Sequence, residues 1–438
     1  DSSPSRGLGD VYKRQITMAP SEPSPVEVVQ KSSNLMPKRD RGPVFTPLES
    51  RSILSLSSIM FFRMFGLFLV LPVFSLLAQE LDGATPLLIG LAFGGYGLTQ
   101  ALLQIPFGIW SDRIGRKPVI MVGLFLFIIG SLIAAFADNI YLMIVARLLQ
   151  GAGAISSAVF ALIADLTRPE VRTRANAGIG ASIGMAFGGA FFIAPFLGGF
   201  AGLSGIFGLI TLMATVGLLI LWRFVPEPEN QSRTPNTPTL DMIKYVLVLP
   251  SIRTIDFGAF VCSTGLSAVF FMIPIQLAEQ GWISSDLWQI YLPMLLSGGL
   301  IMVAAAIVAE TKNRFREVMF VGIGFLIASV LCLAFFQESQ DKFLLIAGLF
   351  LFFMGFNVFE PLFPSLVTRL TNPTTKGTAS GVYNFCQFVG HFAGAAIAGI
   401  FYSTNLVFLL GLLLMINLGF LFMLYKNFSN PIPREKAD

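Results

Sequence analysis

A succession of apolar runs, each roughly twenty residues or longer, most constrains how this chain folds. A helix rises about 1.5 Å per residue and satisfies its own backbone hydrogen bonds, so each run can cross a hydrocarbon core about 30 Å thick. The runs predict an all-α membrane protein with about twelve transmembrane helices. They lie at 53–78, 86–110, 117–137, 141–164, 175–197, 203–224, 254–278, 286–309, 317–336, 343–368, 377–401 and 404–425.

The composition favours the same class and argues against several others. The 438-residue chain is 54% hydrophobic and 12% charged, whereas soluble domains carry roughly a quarter charged residues. The basic residues behind its net charge of +4 lie in short loops between apolar runs, so we expect no nucleic-acid partner. The cysteines lack the spacing of a metal or disulfide site, and a single histidine without paired acids or a nucleophile argues against an enzyme. No metal and no cofactor are expected.

The amino-terminal segment differs from the rest of the chain. Residues 1–50 are rich in Ser, Pro and charge and are predicted to be a disordered tail. Residues 1–15 resemble a translated sequencing adaptor, which would make Met18 the natural start.

A second polar segment divides the apolar runs six and six. Residues 225–250 are proline-rich and are predicted to be a cytoplasmic linker. They separate an N-terminal half, 51–224, from a C-terminal half, 251–427, which is followed by a short tail at 428–438. A weak repeat, in which 173–177 matches 375–379, predicts that the halves are pseudo-symmetric with a substrate site between them.

The loops differ in charge on the two sides of the predicted membrane. Basic residues collect in the loops on the side of the first residues, while Lys342 is the one basic residue found on the other side. The positive-inside rule therefore predicts that both termini are cytoplasmic.

One loop between the second and third runs combines glycines with opposite charges at fixed spacing. Its glycines permit close helix approach and a tight turn, and its charges can pair at the cytoplasmic helix ends. A loop that merely orients the chain would explain the basic residues but leaves Asp112 and the glycines unexplained. The residues are Gly108, Asp112, Arg113, Gly115, Arg116 and Lys117.

This loop resembles the signature loop of the major facilitator superfamily. The resemblance implies the major facilitator fold, with Asp112 facing the amino end of the eleventh helix and Arg116 paired with Asp165, closing the cytoplasmic side in the outward-facing state. We call the six loop residues together with Asp165 the cytoplasmic latch. The equivalent segment of the second half, 310–316, lacks the glycine turn and is expected to form a weaker lock.

Further stretches are similar to bacterial inner-membrane, proton-driven transporters of that superfamily, including 63–68, 96–100, 104–108, 165–168 and 376–379. The similarity implies a multi-pass protein of the inner membrane that couples efflux to protons. Some of these transporters carry a soluble domain after the last helix, which this chain is expected to lack.

Charged residues inside apolar runs are candidates for proton coupling or for the cavity. An arginine well inside a span costs on the order of 3 kcal/mol unless it faces a partner or water, which applies to Arg63 and Arg147. Glu360 is the one acid found well inside a run, and His391 is the one histidine. A structural role remains an alternative for each of the four.

The fifth run carries small residues at helical spacing. Gly180, Gly184 and Gly188 predict close helix packing, and Pro195 predicts a hinge. The region resembles an antiporter motif of the superfamily with Ala194 in place of a glycine, so the direction of transport stays open.

These features predict a monomeric secondary active transporter that couples protons to the efflux of a small amphiphilic or drug-like solute by alternating access in the lipid bilayer. Two alternatives remain, a facilitative uniporter of a small polar metabolite and a non-transporting sensor on the same fold.

Overall fold

The structure, a computed structural model, describes residues 45–227, 240–372 and 375–429 and builds them mainly from long helices. Two short 3₁₀ turns, Ala78–Glu80 and Ser284–Asp286, lie in loops. The helices are α1 Pro47–Val70, α2 Phe74–Leu77, α3 Pro86–Ile114, α4 Arg116–Ala135, α5 Ile140–Ala152, α6 Ser156–Leu166, α7 Pro169–Phe224, α8 Leu240–Val248, α9 Pro250–Glu279, α10 Trp288–Thr311, α11 Phe315–Ser339, α12 Lys342–Leu370, α13 Lys376–Phe401 and α14 Leu406–Asn427.

Two helices begin inside segments predicted to be irregular. The side chain of Thr46 caps α1 and Glu49 bonds back to the Thr46 backbone, so the helix starts at Pro47, within the predicted tail 1–50. The short helix α8 lies within the predicted linker 225–250. The boundaries differ because a capped helix starts in polar residues ahead of its apolar run, and because α8, with nine residues, is too short to form a run that could cross a membrane. The remainder of the predicted tails and linker, including 1–15, lies outside the described residues.

Eleven helical stretches of the described residues are long and apolar enough to cross a membrane. One of them, α7, has 56 residues and contains two of the predicted runs. It breaks at Gly202, whose φ of 61° and ψ of −160° suit only glycine. The arms 169–201 and 203–224 are each long enough for one crossing. Twelve crossings and cytoplasmic termini stay predictions.

The helices pack as two groups that meet along a limited surface. In the first group α1 packs along α7 and α3 packs against α5, and in the second α9 packs along α13 and α11 along α12. The groups meet where α3 contacts α13, where α2 contacts α9 and where α7 contacts α10. This arrangement leaves the space between the two groups as the place for a solute site.

Candidate functional site

Glycines on α3 allow the two halves to touch. An ideal Cβ on Gly94 would lie 3.0 Å from the Ala395 Cβ and 3.0 Å from the Phe392 carbonyl oxygen of α13. One on Gly90 would overlap the Ala395 carbonyl oxygen. Real Cβ atoms rarely approach other atoms so closely, so these positions require glycine for α3 and α13 to pack as they do.

Aromatic rings close the space between the halves beside this contact. Phe191 of α7 lies 5.1 Å from Phe270 of α9 and 6.0 Å from Tyr291 of α10, measured between ring centroids. Phe187 stacks on Phe353 of α12 at 5.8 Å. We call these five rings the aromatic floor.

Two hydrogen bonds tie the floor to the first half. The Tyr291 hydroxyl donates to the Pro72 carbonyl oxygen at 3.1 Å, and the Ser75 hydroxyl donates to the Phe270 carbonyl oxygen at 3.2 Å. Pro72 lies in the turn between α1 and α2, and Ser75 lies in α2. The two bonds therefore hold α10 and α9 against the α1–α2 turn. The closure on this side is therefore both apolar and hydrogen-bonded.

The opposite end of the space is open. Gly180 and Gly184 lie seven residues before Phe187 and Phe191 and therefore on the same face of α7, toward the other half. An ideal Cβ at either one, or at Gly188, meets nothing within 4 Å. The predicted close packing of these three glycines does not occur in this conformation, and the close contacts belong to α3 instead. The cavity opens at the end that carries the signature loop.

Pro195 does not mark the break in α7. The helix runs through this buried proline and departs from helical geometry seven residues later, at Gly202. Proline removes one hydrogen bond but keeps a helical φ, whereas the φ of +61° at Gly202 reverses the backbone. Gly202 is the turn between the two arms of α7, so the hinge predicted at Pro195 stays a prediction.

Glu360 lies on the cavity wall. It follows Phe353 by seven residues on α12, so it shares the helix face that meets the first half, and its side chain is exposed. Within residues 45–227, 240–372 and 375–429, no hydrogen bond or ion pair is described for Glu360. A carboxyl group that faces a water-filled cavity can exchange protons with that water, which keeps Glu360 a candidate for proton coupling.

Arg63, by contrast, is buried within the first half, with 1% of its surface exposed. Its guanidinium donates to the Gln100 Oε1 at 2.8 Å, the Ser156 hydroxyl at 2.9 Å and the Gly153 carbonyl oxygen at 2.9 Å. Residues 153–155 interrupt the fourth crossing between α5 and α6, where short-range backbone hydrogen bonds replace the regular helical ones. Arg63 supplies a donor for that interruption.

Arg147 is also buried within the first half, where it lies over the ring of Tyr96. It donates to the Gln150 Oε1 at 2.7 Å and lies over the Tyr96 ring at 5.2 Å and the Phe74 ring at 5.8 Å. Arg63 also reaches the Tyr96 hydroxyl, at 3.2 Å. The two arginines therefore form one network around Tyr96, and no hydrogen bond or ion pair described for residues 45–227, 240–372 and 375–429 joins either of them to Glu360.

His391 lies in the contact between the halves. Its Nδ1 is 3.0 Å from the Ser267 hydroxyl of α9, and its Cβ is 3.2 Å from an ideal Cβ at Gly97 of α3. The four predicted coupling residues thus occupy three places: Arg63 and Arg147 inside the first half, His391 at the contact, and Glu360 on the cavity wall.

The cytoplasmic latch assembles inside the first half. Arg116 Nε lies 3.3 Å from Asp165 Oδ2, as predicted, and the guanidinium also binds Asp112 and, at 2.8 Å, the Ser111 hydroxyl. These contacts join the ends of α3, α4 and α6. Among the described residues no hydrogen bond or ion pair joins Asp112 to the amino end of α13, so the predicted approach of Asp112 to that helix end stays a prediction.

The other latch residues shape and anchor the loop. Gly115 separates α3 from α4 with φ of 121° and ψ of 151°, which explains the glycine. Lys117 Nζ donates to the Val225 carbonyl oxygen at 2.7 Å and caps the end of α7, while Arg113 is exposed. An ideal Cβ at Gly108 would make an ordinary 3.6 Å contact with the Ser157 hydroxyl, so close approach does not require that glycine here.

The second half carries a simpler bridge at the same level. Arg369 at the end of α12 pairs with Glu310 at the end of α10 at 2.9 Å, and both side chains are partly exposed. Exposed pairs contribute little to stability, which agrees with the expectation of a weaker lock.

Sequence reasoning missed two buried acids, Glu49, which lies in the predicted tail 1–50 and pairs with Arg168, and Asp256. Asp256 was placed at the edge of a run starting at 254, whereas α9 starts at Pro250 and Asp256 is buried in its second turn with 3% exposure. The signal that could have found it is Pro250, because proline is favoured in the first turn of a helix.

Comparisons with known proteins agree with this geometry. Residues 56–395 match the model of the Major Facilitator Superfamily. The inner membrane transport protein YajR of Escherichia coli (strain K12) is 39% identical over 360 residues, which cover 81% of this chain and 78% of YajR. Multidrug resistance protein 2 of Bacillus subtilis (strain 168) is 28% identical over 396 residues, covering 86% of this chain and 96% of that protein.

Solved structures show the same fold. A bacterial homolog of the human lysosomal transporter Spinster, in an inward-facing and occupied conformation, superposes with a TM-score of 0.70 at 14% identity, covering 88% of this chain and 98% of that one. Because the family model matches most of the chain and the helices form the same architecture, this protein belongs to the Major Facilitator Superfamily.

Proposed function

We propose that this transporter couples protons to the export of a small amphiphilic or drug-like solute by alternating access in the inner membrane. The observation that carries the proposal is a cavity with an aromatic floor and one exposed carboxyl group, Glu360, on its wall. Aromatic rings bind apolar bodies without fixing their orientation, and a single carboxyl offers one site for either a cation or a proton. No covalent change to the solute is part of the proposal.

The conformation supports the direction of access. If the signature loop is cytoplasmic, the structure is the inward-open state, closed on the far side by the α3–α13 contact and the aromatic floor. A solute from the cytoplasm or the inner leaflet can then enter beside Glu360. Rocking the halves would separate α3 from α13 and bring Gly180 and Gly184 toward the second half.

Liposomes loaded with a pH-sensitive dye test the proposal. An imposed pH gradient should drive uptake or release of amphiphilic cations, and adding such a compound should move protons through the wild-type protein. Glu360→Gln should abolish the proton movement, whereas Glu338→Gln, the same change at an exposed position at the end of α11, should leave it intact. Compound movement without proton movement would favour the uniporter, and binding without movement would favour the sensor.

A further inference from the structure

Asp256 is a buried acid that the proposed function does not yet use. It lies six residues inside α9, or about 9 Å along the helix axis. Its exposure is 3%, and both carboxylate oxygens are buried with no hydrogen-bond partner among the described residues. A buried side chain with two unsatisfied acceptors is unusual and requires an explanation.

Two titratable groups of α13, neither of them a cation, interact electrostatically with Asp256. Tyr383 and Cys386 of α13 lie within electrostatic reach of Asp256, and Tyr383 also lies within reach of Glu360 on α12. Cys262, one and a half turns further along α9, is within reach of Glu360 as well. The two acids therefore share a neighbour, Tyr383, although no described hydrogen bond joins them.

The charged groups on the remaining elements around α9 are exposed or paired with other residues. On α9 itself Arg253 is exposed, and Arg369 of α12 is paired with Glu310. The short helix α2 contributes no titratable side chain. The exposed or otherwise bonded titratable groups of the other elements are Asp241, Lys244 and Tyr245 on α8, Tyr425 and Lys426 on α14, Lys376 and His391 on α13, Lys342 on α12, and Tyr96, Asp112 and Arg113 on α3.

Burial without a donor makes the charged form of this side chain costly. Removing an ionised carboxylate from water costs several kcal/mol unless a cation or hydrogen-bond donors replace the water. A neutral carboxylic acid avoids most of that cost. The pocket around Asp256 in this conformation therefore accommodates the protonated form and disfavours the ionised one.

We propose that Asp256 is a second proton-binding site of this transporter, a step that rests on the proposed proton coupling. Water that reaches Asp256 in another conformation delivers a proton to one of its carboxylate oxygens, and the side chain is then buried as a neutral acid in the inward-open state. Release requires a conformation that brings water to Asp256. Since protonation lowers the cost of burying Asp256, it favours the inward-open state over any state that hydrates the side chain.

Infrared difference spectroscopy of the full-length protein in lipid tests the protonation directly. In the Glu360→Gln background, the carbonyl band of a protonated carboxylic acid should be present and should be lost when Asp256→Asn is added. The matched control is Asp241→Asn, the same change on the neighbouring helix at an exposed position. A band unchanged by Asp256→Asn would overturn the proposal, whether or not that variant transports.

A transport assay separates this inference from the function on which it rests. In liposomes, Asp256→Asn should lose proton movement driven by an amphiphilic cation while retaining compound exchange, which needs no net proton transfer. Wild-type proton movement that persists in Asp256→Asn would refute the second site and leave the proposed function standing. A wild-type protein that moves compound without protons would refute the coupling itself. Asp256→Glu, which keeps the carboxyl group, should restore part of the proton movement.

Discussion

Replacing Gly90 by alanine should shift the protein away from the conformation described here. The added Cβ would overlap the carbonyl oxygen of Ala395 and lie 3.0 Å from the Gly399 Cα. Both neighbours are backbone atoms of α13, so no side chain can rotate to make room. Relieving the overlap means moving α3 away from α13, which is the movement that opens this side of the transporter.

The size of the shift follows from the cost of inserting a methyl group into a packed contact, about 1–3 kcal/mol. That cost is absent once the helices separate, so the equilibrium should change by roughly 5–150-fold toward the opposite state. Gly184→Ala is the matched control because its Cβ meets nothing within 4 Å in this conformation. Both changes raise helix propensity by about the same amount, and that contribution cancels between the states.

Distances between spin labels report the equilibrium between the conformation described here and the opposite one. Labels at Ile114 on α3 and Gly377 on α13, in a background without native cysteines, span the open end of the cavity. The long distance should dominate in the wild type and in Gly184→Ala at equal pH, and a short distance should gain weight in Gly90→Ala. If Gly90→Ala and Gly184→Ala give the same distance distribution, the α3–α13 contact does not close this side and the reasoning is wrong.

Three further substitutions test the latch and the first half. Asp112→Asn should abolish transport with normal membrane insertion, because the Arg116 network joins three helix ends; unchanged transport in liposomes would contradict the latch assignment. Arg63→Met should lower the free energy of unfolding by about 2–4 kcal/mol, since the Gln100 side chain, the Ser156 hydroxyl and the Gly153 carbonyl oxygen each lose a charged donor; an unchanged Tm in detergent would argue against that role. Glu49→Gln should lower Tm by less, since Arg168, which it binds at 2.9 Å, is half exposed; a drop as large as that of Arg63→Met would contradict this ranking.

Local sequence was sufficient for the class of protein and for the latch within one half. A bilayer accepts only segments that satisfy their own backbone hydrogen bonds, so apolar length alone predicts helices. Even the long helix α7 consists of two of the predicted runs. The pairing of Arg116 with Asp165 followed from resemblance to a loop whose charges lie at adjacent helix ends. Residues such as Thr46 and Pro250 also indicate helix starts in the sequence, although they lie outside the apolar runs.

Only the tertiary structure decided which face of each helix meets lipid, the other helices or the cavity. Membrane helices are apolar on every side, so hydropathy does not distinguish these faces as it does in a soluble protein. Arg63 and Glu360 look alike in sequence, each a charge within an apolar run, yet one is buried beside a helix break and the other faces the cavity. The glycines of α3 and α7 likewise share a spacing, and the conformation determines which of them are in close contact.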